Sequence, residues 1–120
     1  MTRTKSNGSV RIEIFEREDC PHRGMALVVV ERVVDETGIP AEIEVVEVES
    51  DSDAETYRVL GSPTVLVDGR DVDPEPIPVE YSADDRIYRT PRGPSGWPEP
   101  EWIRAALIRA VAQTHSNGVP

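Results

Sequence analysis

The most reactive residue types cluster in one short stretch, Cys20-Pro21-His22-Arg23, and the thiol there is the chain's only cysteine. A thiolate is both a nucleophile and a soft-metal ligand, and its surroundings decide whether the sulfur is ionised. Pro21 suits the first position of a helix, where the N–H that proline lacks would have no partner. Cys20 is therefore the expected N-cap, where the helix dipole and unpaired N–H groups would stabilise a thiolate. Arg23, about one turn along, is placed to assist that thiolate or to hold a carboxylate of an incoming thiol. His22 is a candidate proton carrier, set against the plainer reading of an exposed first-turn residue.

Composition narrows what this thiol can belong to. The 120 residues suffice for one domain with one core. A net charge of −10, with 23 acids against 13 basic residues, offers no basic run for a phosphate backbone, so no nucleic acid partner is expected. One cysteine excludes an internal disulfide, and with two histidines it leaves too few ligands for a closed zinc site. Cys20 with His22 makes at most a two-ligand soft-metal site. A reducing cytoplasm suits such a chain. The polar N-terminus reads as neither signal peptide nor anchor, and the run Met25–Val30 is too short to span a bilayer.

The elements that must position Cys20 follow from periodicity. Residues 1–8 read as a disordered lead-in, and the domain is expected over 9–113. Val10, Ile12 and Ile14 alternate with Arg11 and Glu13, the signature of a strand. From Pro21 to about Thr37, Ala26, Leu27, Val30, Val33 and Val34 recur at helical spacing, with Gly38 as the stop. Ile43, Val45 and Val48 alternate with glutamates in a second strand that slips phase at Val46, and the glutamates guard an edge. Strand, helix and strand make a βαβ unit, normally parallel and right-handed. A short helix near 53–60 with N-cap candidates at Ser50 to Ser52 and a stop at Gly61 comes next. A hairpin follows, with strands at 64–67 and about 70–73 around Asp68-Gly69. Residues 74–98 form a proline-rich loop in which Asp85–Thr90 is expected to be extended. A last helix runs from about Glu99–Glu101 to Gln113 on an apolar face of Trp102, Ile103, Ala106, Leu107, Ala110 and Val111, and 114–120 reads as a disordered tail.

This order, the Cys20-Pro21 pair opening the first helix, and Ser62-Pro63 before a hairpin strand together resemble the thioredoxin fold. The segment Ser62–Arg70 is similar to the glutaredoxin stretch in which a proline precedes an apolar strand and a glycine turn. More narrowly, the motifs at 19–23 (DCPHR), 60–71 (LGSPTVLVDGRD) and 86–96 (RIYRTPRGPSG) resemble small alkylmercury-lyase-like proteins. The resemblance implies an α/β domain of β-α-β, then α, β-hairpin and α, a mixed sheet with helices on both faces and the proline-rich loop near the Cys20 end. It also implies a cis Pro63 facing Cys20, with the backbone beside it free to pair with a bound thiol peptide. Ser62 and Thr64 would then flank the substrate groove, and Arg86 and Arg89 would form a positive rim.

The chain departs from the dithiol pattern of that fold. The second cysteine of a Cys-x-x-Cys would fall at Arg23, and the further cysteine that relatives often carry before the Arg-x-Tyr-Arg-Thr motif is Asp85 here. A one-chain dithiol cycle is therefore impossible. What the residues leave is a monothiol thioredoxin-like protein using Cys20 with Pro63 and Arg23 in thiol–disulfide exchange or thiol binding. Its co-substrate would be a small thiol or a protein thiol, with no resident cofactor or metal. The competing readings are a non-catalytic adaptor domain using the same groove, and a soft-metal (mercury) binding protein. A lone exposed thiol is also able to join two chains.

Overall fold

Alternation organises the sheet. In the computed structural model, which describes residues 9–76 and 80–117 with side chains through 113, β1 (Val10–Glu16) is the central strand. It pairs in parallel with β2 (Ala41–Glu47) and antiparallel with β3 (Thr64–Val67), which β4 (Arg70–Asp71) extends, giving the order β2-β1-β3-β4. The inward residues Val10, Ile12 and Ile14 of β1 and Val65 and Val67 of β3 meet Ala26, Val30 and Val33 of α1 (Met25–Thr37). Ile103, Ala106, Leu107 and Ala110 of α3 (Pro100–Asn117) close the same core. Phe15 and Leu66 point the other way, against Ala54 of α2 (Asp51–Tyr57) and Val48, Val59 and Ala83. Val46, where the alternation slips, joins that second cluster. The domain is thus a small α/β unit with helices on both faces of a mixed sheet, and each fully buried Ile or Leu contributes about 1.5–3 kcal/mol.

Helix ends set the loops that carry function. The first helix does not start at Pro21. Residues 21–24 form successive turns, with Arg23 N–H donating to Cys20 O at 3.0 Å and Met25 N–H to His22 O at 3.0 Å, and Gly24 is the N-cap. Gly24 has φ of 90°, a left-handed conformation that interrupts the helix and that glycine adopts without strain. Gly38 closes α1 as expected, its N–H reaching Val34 O at 2.9 Å. Ser50 caps α2 by accepting from Asp53 N–H at 3.2 Å, and the helix ends at Arg58 rather than Gly61.

The proline-rich segment holds a second, two-stranded sheet, β5 (Tyr88–Thr90) with β6 (Gly93–Ser95). The extended stretch was expected; its return strand, written Gly-Pro-Ser, reads locally as a turn. The last helix continues through Asn117, past the expected stop at Gln113, so residues 114–117 are helical rather than tail. The lead-in at 1–8, the end of the tail at 118–120 and loop residues 77–79 lie outside the described residues. Among the described residues, no helix is long and apolar enough to cross a membrane.

Leu107 is fully buried where α3 meets the sheet. Leu107→Ala is expected to cost about 2–5 kcal/mol, read as a lower urea midpoint at unchanged slope. A loss under about 1 kcal/mol would contradict this account of the core.

Candidate functional site

The end of β1 and the start of β3 bring two motifs together. Cys20 lies in the loop after β1 and is only 6% exposed. Its N–H donates to Arg17 O at 3.1 Å, and its Sγ lies 3.6 Å from the carbonyl oxygen of Ser62, a weak S–H···O contact. The Ser62-Pro63 bond is cis. Cys20, Ser62 and Pro63 are therefore neighbours, as the sequence motifs imply.

The environment of the thiol differs from the expected one. Because α1 begins at Met25, Cys20 is not its N-cap, and the helix start does not lend its N–H groups to the sulfur. The Gly24 N–H is instead taken by Glu16 Oε2 at 3.3 Å, from a carboxylate that is itself buried. Arg23 is exposed, and among the described residues it forms no ion pair. His22 is exposed and packs against Trp97. Its ring is edge-on to Trp97 with centroids 5.4 Å apart, and a side chain at Gly96 would come within 2.2 Å of it. Glycine at 96 is what lets the Cys20 loop lie against the turn after β6.

The backbone beside Pro63 is occupied. Ser62 N–H donates to Asp84 O at 2.7 Å and Ser62 O accepts from Arg86 N–H at 2.9 Å, a parallel bridge to Asp85. Ser62 Oγ accepts from Arg17 N–H at 2.8 Å. Gly61 makes room for this approach, since a Cβ there would meet Arg86 Cβ at 2.7 Å, and its φ of 142° favours glycine as well. Thr64 is fully buried and donates from Oγ1 to Gly61 O at 2.6 Å, so it braces the turn rather than lining a groove.

The two rim arginines line one groove but differ in burial. Arg86 is buried. Its guanidinium makes two bonds to Asp71, at 2.7 and 3.3 Å, donates to Thr64 Oγ1 at 3.1 Å, and lies 4.3 Å from the centre of the Tyr88 ring. That is a structural ion pair, and the buried Arg86 also lines the groove that Arg89 borders. Arg89 is exposed and lines, with Ile87, Glu75 and Trp102, a groove of about 800 Å³ whose walls do not include Cys20.

Residues not singled out from the sequence complete the site. Arg17 ties the Cys20 loop to segment 83–85, donating to Ala83 O and Asp85 Oδ1 at 2.7 Å each and pairing with Asp19, whose carboxyl it holds below the usual range. Tyr88 donates from its hydroxyl to Pro63 O at 2.6 Å. Burial pushes its phenol far above the ordinary value near 10, against the opposing pull of Arg86. Both residues act across more than twenty positions of sequence, so local patterns did not mark them. Among the described residues no group of three or more His, Cys, Asp or Glu is arranged to hold a metal ion. No protein-family model matches the chain, and no curated protein matches it.

Two measurements check these assignments. Arg86→Leu leaves Asp71 without its partner and is expected to cost about 3–5 kcal/mol, whereas Arg89→Ala stays within about 0.5 kcal/mol; similar losses for both would return Arg86 to the surface. Tyr88→Phe leaves Pro63 O unpaired and is expected to lose about 1–3 kcal/mol at pH 8. The unfolded chain releases the phenol proton near pH 10 and the folded protein only well above it. Stability from the neutral phenol is therefore complete below 10 and declines as pH rises beyond it. The advantage of wild type over Tyr88→Phe should narrow between pH 9 and about 11, and an advantage that widens contradicts the burial argument.

Proposed function

We propose that the protein is a single-thiol, thioredoxin-like exchange protein acting through Cys20, suited to a reducing cytoplasm. The observation that carries this reading is the 3.6 Å contact between Cys20 Sγ and Ser62 O, which joins two motifs 42 residues apart. The sheet order β2-β1-β3-β4 and the cis Ser62-Pro63 bond agree with the thioredoxin-like resemblance.

The chemistry uses one protein sulfur. The Cys20 thiol gives its proton to solvent, and the thiolate attacks one sulfur of an external disulfide. A Cys20–S–S bond forms, the external S–S bond breaks, and the leaving thiolate takes up a proton. A second external thiolate then attacks the mixed disulfide, restoring the Cys20 thiolate and carrying off the bound half as a new disulfide. Because no resolving thiol exists in the chain, both oxidant and reductant are external small or protein thiols and disulfides. Arg23, exposed one turn from Cys20, is the group available to meet a carboxylate of the incoming molecule.

A second reading has its own support. The burial of Cys20 and the occupied Ser62 backbone suit a non-catalytic binding domain that kept the architecture without the exchange. Incubation with excess cystamine separates the two. Exchange predicts one half-cystamine adduct per folded chain by intact mass, removed by dithiothreitol and absent in Cys20→Ser. If the folded chain stays unmodified while the urea-unfolded chain is fully modified, the binding-domain reading takes over.

A further inference from the structure

A helix packed on a sheet ordinarily turns polar residues toward water, and α1 departs from this on one side. Met25, Val28, Val29 and Arg32 recur at helical spacing outside the buried Ala26, Val30 and Val33, and Val28 is 49% exposed. With Pro94 of β6 and Trp97 just beyond it, they wall a groove of about 400 Å³ that does not include Cys20. The geometry points to this groove as a docking site for an acidic peptide segment of a partner protein. An apolar residue of the segment packs on Val28 and Trp97, and its carboxylates meet Arg32 and Arg92. The inference stands on the groove alone and does not need the exchange reading.

Charge selects the occupant. The chain carries a net charge of −10, yet among the described residues the groove walls hold two arginines and a single carboxylate, Glu99. The Glu99 side chain is 9% exposed and already accepts from Arg92 Nη2 at 2.9 Å, whereas the Arg92 side chain is 80% exposed and keeps its other N–H groups for a ligand. Arg32 is exposed and forms no ion pair among the described residues, and Asp35, three residues further along α1, is not part of the walls. The open charge of the groove is therefore positive on a negative chain, which is the complement of an acidic partner. Shape selects a peptide. Arg32 stands on the helix wall and Arg92 on the turn between β5 and β6, and apolar side chains share the groove with them. A ligand that meets both arginines carries two separate anionic groups around an apolar one, as acidic residues flanking a leucine or phenylalanine do. The walls are fixed in advance: Ser95 Oγ donates to Trp97 O at 2.8 Å and accepts from Trp97 N–H at 3.2 Å, and Thr90 Oγ1 donates to Gly93 O at 2.7 Å. A site already ordered loses less entropy on binding.

Isothermal titration calorimetry on the full chain tests this with a capped hexapeptide, Glu-Asp-Leu-Phe-Glu-Asp, and with the neutral control Gln-Asn-Leu-Phe-Gln-Asn. The chain as a whole repels an anion, so tighter binding of the acidic peptide requires a local positive site. The expected result is saturable binding of the acidic peptide with Kd below about 1 mM and weaker binding of the control. Arg32→Gln and, separately, Val28→Gln change exposed side chains and are expected to keep the wild-type urea midpoint while weakening the acidic peptide by about threefold or more. Acidic peptide bound no more tightly than the control overturns the inference. A Kd that either variant leaves unchanged places the peptide elsewhere and overturns it as well. Sedimentation that shows wild-type chains pairing and Val28→Gln chains remaining monomeric gives the face to a second copy, which also overturns it.

Discussion

Every polar atom of Ser62 is committed. A residue only 2% exposed bonds through its N–H to Asp84, through its carbonyl to Arg86 and Cys20, and through its hydroxyl to Arg17. Buried polar groups left unpaired cost about 1–3 kcal/mol each, so this one residue obliges three remote segments to meet. The loop after β1, the start of β3 and the stretch leading into β5 have no common periodicity. Hydrogen-bond satisfaction adds to the apolar packing of Ala83 against Phe15 and Leu66 in bringing them together, while the sheet and helices around them follow from apolar burial.

That division explains what could be read from the sequence. The four-stranded sheet, its Asp68-Gly69 turn, the Gly38 stop and the inner face of α3 come from alternation, helical spacing and turn residues, all local signals. The start of α1 was misplaced because Pro21 is a valid first-turn residue and outweighed Gly24, whose left-handed φ decides the matter. The β5–β6 sheet was half seen, since a strand of Gly-Pro-Ser carries no β propensity and exists because it pairs with Tyr88–Thr90. The adjacency of Cys20 to Ser62-Pro63 was legible only through the motif resemblance. Gly61 and Tyr88 lie within the resemblance motifs, Gly61 as an expected helix stop, but their roles and that of Arg17 were not legible, because each acts through a contact between segments that are distant in sequence.

The charge pattern has the same logic. A chain of net charge −10 repels itself, and three of its arginines each meet several acceptors. Arg17 reaches two carboxylates and a carbonyl, Arg86 reaches Asp71, Asp73 and Thr64, and Arg104 joins Glu36 of α1 to Glu101 of α3. A lysine offers a point charge in place of a planar fork and would not span these sets. The contacts differ in weight: the Arg104 pairs are exposed and contribute little, about 0–1 kcal/mol, whereas Arg86 is enclosed and cannot lose a partner cheaply.

Position 85 ties these threads to the chemistry. The motif resemblance implies that related chains often carry a cysteine there, and this chain carries an aspartate held by Arg17. A cysteine facing the Cys20 loop would make the link between loop and segment depend on oxidation. A carboxylate paired with a guanidinium makes that link ionic, insensitive to redox state and weakened by salt. In this chain the Arg17–Asp85 pair holds the segment that bonds the Ser62 backbone.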